Sequence, residues 1–400
     1  MIERFIRDHE VTGSSELFST MFDVLCQGAQ FIEKQNPFAY SADILNFSAD
    51  VFISLKNSVR KVFKISSGTT LSAADLDAGV FAVGTDYYVY LCDDGASGVL
   101  KVSASSTFPA GYSADSSRKI GGFHYGHIRK VSTDGLWVPI DSEGTKFGSG
   151  SVSWKNNVTI GILPNSVWDL KNRPKCSPEG MVKIGNHWVD IYQSSAAETL
   201  TFLSGTNGLH VAGGRLQSKY GQLPVTGTEG ANWYTFAELA SRSGKRMLSY
   251  GEWCKAAFGN PQGEDAADNF GWTKTTNTAR ARTGVRVNNS TGAYDAASGV
   301  KPYAIGAFNT VDTVGNVYEW LDDIGPRFST DDTVGAFAWR DVLGAGMGQA
   351  YLASASGLAA YIAGGGWSEG VRAGPRALNA SSYPWGVNSN VGCRLACDAA

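Results

Sequence analysis

The stretch AGGGWSEGVRAGPRALNASSYPWGVNSNVGCRLAC, residues 363–397, sets a frame of Gly364, Gly365, Trp367, Gly374, Arg376, Gly392 and Arg394 around side chains that keep no folding period. A segment that only packs a core alternates apolar and polar residues as a strand does, or repeats them at helical spacing. Glu369, Arg372, Tyr383, Trp385 and Asn388 do neither. Tyr, Trp, Ser, Gly, Asn and Arg dominate the segment, and these are the residues of paratopes and binding hot spots. The pattern predicts a rigid frame that displays side chains.

Working outward, 400 residues suggest roughly two to four domains. A charged fraction of 18%, 48 glycines and 12% aromatic residues describe a β-rich chain with many turns. The net charge of −3 leaves no basic stripe to displace counterions from phosphates, so nucleic acid is not expected as a partner. The opening MIERFIRDHE is too charged for a signal-peptide core, and no apolar run approaches the roughly 18 residues of a membrane span. The expectation is a protein made soluble in the cytoplasm, without membrane insertion. Six scattered cysteines are too few for a disulfide framework and are read as reduced thiols. Cys393 and Cys397 lack the second pair that a zinc site needs. His124 and His127 are read as loop polar groups.

The fold class expected is α+β. Residues 1–44 read as an N-terminal helical assembly segment, where Phe18, Phe22, Leu25, Ala29 and Ile32 recur at alternating four and three spacing, a seam that fits a partner helix or packing against its own chain equally well. Residues 45–130 read as a small β domain, with Asp94-Gly95 turning the chain after a strand-like run. Residues 131–165 are a polar connector. Residues 166–400 hold the largest domain, in which Thr235 with Glu238 and Ser249 with Glu252 are read as capping boxes of two short helices. Gly244 and Gly259 stand where those helices end. The Thr/Asn/Ala/Arg run near 274–293 reads as a surface loop.

Five motifs then fall in order: GMVKIGNHWVDIY (180–192), NWYTFAELASRSGKRMLSYGEWCKAAFG (232–259), VDTVGNVYEW (311–320), AGGGW (363–367) and VGCRLA (391–396). Together they resemble the formylglycine-generating-enzyme-like domain, a variant of the C-type lectin fold, over about 176–397. Upstream, GTDYYVYLCDDG (84–95), FPAGYSADSSRKIGGFHY (108–125) and SVWDLKNRP (166–174) resemble the phage major tropism determinants, receptor-binding proteins at tail-fibre tips that a retroelement diversifies. The resemblance implies a homotrimer on a virion tail fibre that recognises a host-cell-surface receptor, protein or glycan, through a variable region of about 363–394. The displayed set it implies is Gly366, Ser368, Glu369, Arg372, Ser381, Ser382, Tyr383, Trp385, Gly386 and Asn388, with Asn379 and Asn390 at its margin. Adenine-directed change of an Asn codon ending in a pyrimidine yields Ser, Gly, Arg, Tyr or Asn and never Trp or Glu. Trp385 and Glu369 therefore require other template codons or fixed ones. A bacterial variable protein, in the cytoplasm or at the cell surface, is the alternative placement.

Enzymes of the wider family use a reactive cysteine pair after the Gly-Gly-x-Trp strand, and no cysteine lies between Trp367 and Gly392. No phosphate-cradling loop or nucleophile elbow is present either, so no catalysis is expected. In similar domains the residue types at Asp312, Gly315, Val317 and Glu319 bind calcium through two carboxylates and two carbonyls. That suits a hard cation seeking six to eight oxygens, and calcium is the one cofactor expected.

Overall fold

The computed structural model describes residues 32–34, 43–55, 61–129, 158–205, 208–260, 262–263, 271–285, 304–326, 338–340, 348–352 and 358–400. These are mostly β, with two α-helices, α1 (Trp233–Arg242) and α2 (Tyr250–Ala256). The expected seam from Phe18 to Ala29, Cys26 and the connector as far as residue 157 lie outside the described residues. The end of the expected first helix is corrected: Ile32–Lys34 is a strand, antiparallel to Leu45–Phe47.

Strand Thr85–Asp93 organises the upstream unit. It pairs antiparallel with Gly98–Ser103 across the Asp94-Gly95 turn, where Gly95 takes φ +96°, and with Ser117–Arg129 on its other side. Successive side chains of a strand point to opposite faces. Tyr87, Val89 and Leu91 therefore join Phe47, Ile53, Ile120 and Phe123 in the unit's own core. Tyr88, Tyr90 and Cys92 face the other way, onto Trp168, Met181, Trp188 and Cys397. With both faces covered, DYYVYLC reads as a continuous apolar run rather than an alternation. Strands Val158–Ile162 and Trp168–Asp169 pair with Ser117–Arg129, so the same sheet takes in the end of the expected connector, which is corrected to a strand there, and the chain just beyond it.

Downstream, Met181–Ile184 and His187–Asp190 form a hairpin whose second strand pairs with Leu395–Asp398, closing the start of the domain onto its end. A six-stranded sheet follows, in which Tyr318–Pro326 lies between Leu358–Ala363 and Val391–Cys393. Helix α2 begins at the box read from sequence: the Ser249 hydroxyl accepts from the Glu252 N–H, and the Glu252 carboxylate accepts from the Ser249 N–H at 3.0 Å. The box of α1 is shifted. Asn232 is the cap and Thr235 its reciprocal partner, at 3.1 and 2.8 Å, because a Thr hydroxyl can return the bond as a Glu carboxylate does. Glu238 is used instead to accept the Val211 N–H at 3.0 Å. Gly244 and Gly259 are both left-handed, as helix ends demand.

His124 and His127 are not loop residues. Both lie buried on Ser117–Arg129, and His124 joins the two units by bonding Asp86 at 2.9 Å and the Tyr192 hydroxyl at 3.0 Å. Burial, with His124 nearby, lowers the His127 pKa to about 4. The unfolded chain, whose histidines titrate near 6.5, then takes up this proton before the folded chain does. Stability is thus fully present above that pH and is lost as pH falls toward about 4. Thermal melts between pH 7 and pH 4 should show the wild type losing ground to His127→Gln through that window.

Candidate functional site

The frame of the C-terminal segment is fixed by backbone contacts. Gly364 and Gly365 take φ +92° and +90°, and a Cβ on Gly365 would run into Ala373. Gly392 lies so near the Val225 carbonyl that a Cβ would sit 2.7 Å from it. The exposed stretch between them is tied by main-chain oxygens: Ser382 accepts from Ala360, Pro384 from Trp233 at the start of α1, and Asn388 from Gly227 and Val391. Gly386 closes a turn onto Tyr383 at 2.9 Å.

From this stretch Tyr383 and Trp385 stand out, 45% and 56% exposed, with their rings stacked at 5.2 Å between centroids. Asn388 is exposed, and Ser368, Ser381, Ser382 and Gly386 are half-buried. Ser381 folds back to donate its N–H and hydroxyl to Asn379 at 2.9 and 2.6 Å. Asn390 lends its carbonyl to the Tyr318 N–H. Arg372 is exposed and lies 5.4 Å over the Trp339 ring, close enough for a cation–π contact.

Two expected display residues are placed differently. Gly366 is buried, packed beside Tyr318 and Asn390, and Glu369 is largely sunk, its side chain 17% exposed. Burial pushes the Glu369 carboxyl above its ordinary range, opposed by the Arg372 guanidinium 3.8 Å away. Sequence reasoning missed Tyr234, exposed on the first turn of α1, which begins against Pro384. It also missed Val371 and Val387, both exposed, and the Trp339–Tyr351 pair beneath Arg372. Only a register linking α1 to the loop could have found Tyr234.

The expected calcium positions gather at the centre of the domain, around Glu319. Its carboxylate accepts from Arg394 Nη2 at 2.9 Å and Nε at 3.1 Å, from Trp253 Nε1 at 2.8 Å and from Gln193 Nε2 at 3.2 Å. Four donors fill a carboxylate's lone-pair sites. The same Gln193 nitrogen donates to the carbonyls of Asp312 and Val317 at 2.9 and 3.0 Å, while Asn316 Nδ2 holds the Gln193 oxygen at 2.7 Å. Asp312, at φ +59°, turns its carboxylate to Thr283 and the Gly284 N–H. An amide N–H and a guanidinium thus stand where oxygens would have to converge on a cation, and this donor set does not fit calcium. Gly315, at φ +83°, serves the turn, a Cβ there lying 2.8 Å from the Trp272 carbonyl.

Arg394 also donates to the carbonyls of Asp190, Ile191 and Val311. It is therefore the structural arginine the frame called for. Arg376 is not: it is exposed, and its carbonyl accepts the Tyr250 hydroxyl at 2.7 Å. Replacing Arg394 by Met should cost about 3–5 kcal/mol in denaturant unfolding, because it strands a buried carboxylate. Excess chelator should leave the melting temperature of the native protein unchanged.

Residues 39–169 match the model of the Mtd second domain, and residues 150–399 match that of the sulfatase-modifying factor enzyme 1-like domain. The chain is 30% identical over 214 residues to the tail fiber receptor-binding protein of Bordetella phage BPP-1, a stretch that is 50% of this chain and 47% of the relative. It thus spans about half the length of that curated relative. Among solved structures, the major tropism determinant U1 variant superposes with a TM-score of 0.58 at 24% identity, covering 94% of this chain and 87% of that one. The M1 variant gives 0.57 at 24% identity, covering 92% and 86%. These structures share the fold of nearly the whole chain, and with more than half of its length inside one family model, the chain belongs to the family of the sulfatase-modifying factor enzyme 1-like domain.

Proposed function

We propose that this chain is a receptor-binding variable protein of the phage tail-fibre type, which uses its lectin-like domain to recognise a host-cell surface and catalyses nothing. The observation that carries the reading is the exposed Tyr383–Trp385 stack on a stretch fastened by its own backbone. A core has no use for two stacked rings half in water, whereas aromatic and Arg anchors carry most of an interface's energy. Arg372 over Trp339, with Tyr234 at the edge of α1, widens the surface beyond the variable segment. The name of the Bordetella phage relative, a tail fiber receptor-binding protein, supports the same reading. A formylglycine-type oxidase is disfavoured by the missing cysteines of the segment after Trp367. A bacterial variable protein would use the same surface, and neighbouring genes separate the two.

A homotrimer on a tail fibre follows as part of this proposal, since repetition raises the apparent affinity of weak sites by roughly 10²-fold or more. Light scattering should give a trimeric mass. The decisive experiment is a paired scan of melting and cell binding. Ala at Tyr383, Trp385 or Arg372 should shift stability by no more than about 0.5 kcal/mol, as surface changes do. The same variants should lose at least about tenfold in binding to the target cell. Variants that unfold while the folded remainder still binds would place these side chains in the core and end the display reading.

A further inference from the structure

Two of the free thiols meet where the start of the lectin-like domain joins its end. Pro174 bridges Ala399 antiparallel, with the Lys175 N–H donating to Asp398 O at 3.0 Å and the Ala400 N–H to Arg173 O at 2.9 Å. Two residues further along, this register sets Cys176 opposite Cys397. The Cys176 N–H donates to the Cys397 sulfur at 3.1 Å, although the two residues are 221 apart in sequence. Both pack in the aromatic cluster between the two units, Cys397 buried and Cys176 only partly so. Burial pushes the Cys176 thiol well above its ordinary range, opposed only in part by the Lys245 ammonium, itself buried on Asp190.

We propose that Cys176 and Cys397 are a redox-responsive pair that closes to a disulfide in the presence of a small-molecule disulfide. Cys176, the more accessible, loses its proton to solvent and attacks the oxidant, breaking its S–S bond to form a mixed disulfide and release one thiolate. Cys397 then loses its proton and attacks the Cys176 sulfur, forming the protein disulfide and expelling the second thiolate. The protein gives up two protons and two electrons, and the oxidant takes them up and leaves as two thiols. The closed loop contains nearly all of the lectin-like domain, the geometry in which a cross-link restricts the unfolded chain most.

The full chain is incubated with oxidised glutathione, then analysed by intact mass, peptide mapping and melting. The expected product is lighter by two hydrogens, yields a linked peptide pair holding Cys176 and Cys397, and melts about 5 °C higher until reductant is added. Cys397→Ser should stop at one glutathione on Cys176, and Cys176→Ser should yield no linked pair. Wild-type protein that keeps glutathione on Cys176 without closing, or that leaves Cys176 unreacted, overturns the proposal.

Discussion

Arg394 and Glu319, both about 1% exposed or less, hold the C-terminal domain together. Charges taken this far from water are tolerated only when every lone pair and proton is met. Here the guanidinium collects carbonyls from the first hairpin and from the chain before Glu319, while the carboxylate collects Trp253 of α2 and Gln193. Segments separated by up to about two hundred residues therefore share one ion pair. The parallel pairing of Tyr318–Pro326 with Val391–Cys393 brings the two charges together, and the frame of the C-terminal segment hangs from the same strands.

That centre explains what was legible in the sequence. The Ser249/Glu252 box, the Asp94-Gly95 turn and the two helix-ending glycines are local, written within four residues, and each was readable. The family motifs were readable too, because each is a continuous string. Glu319 was read as a calcium ligand from its place in the VDTVGNVYEW string. What filled the site was not legible, since Gln193 and Arg394 reach Glu319 from positions 126 and 75 residues away. The cap of α1 was misplaced because Thr235 can serve either as cap or as the cap's partner, and sequence alone does not choose. His124 and His127 looked like loop residues because their strand is rich in glycine, which hides a pairing that buries both faces.

The C-terminal segment was legible by composition more than by position. Tyr383 and Trp385 are exposed as their chemistry suggested, yet Gly366 and Glu369, interleaved with frame residues in the same text, turn inward. Which side chains turn outward and which inward is set by backbone bonds, and these depend on partners such as Trp233 and Gly227 that lie far upstream.

Strand Thr85–Asp93 has a mechanical consequence. A linker between two bodies is a hinge when few contacts cross it, but this strand is core on one face and joint on the other. Its rings cannot leave the joint without turning the core as well. Force applied at the upstream unit thus reaches the C-terminal domain through a joint that cannot open without disturbing that unit's core.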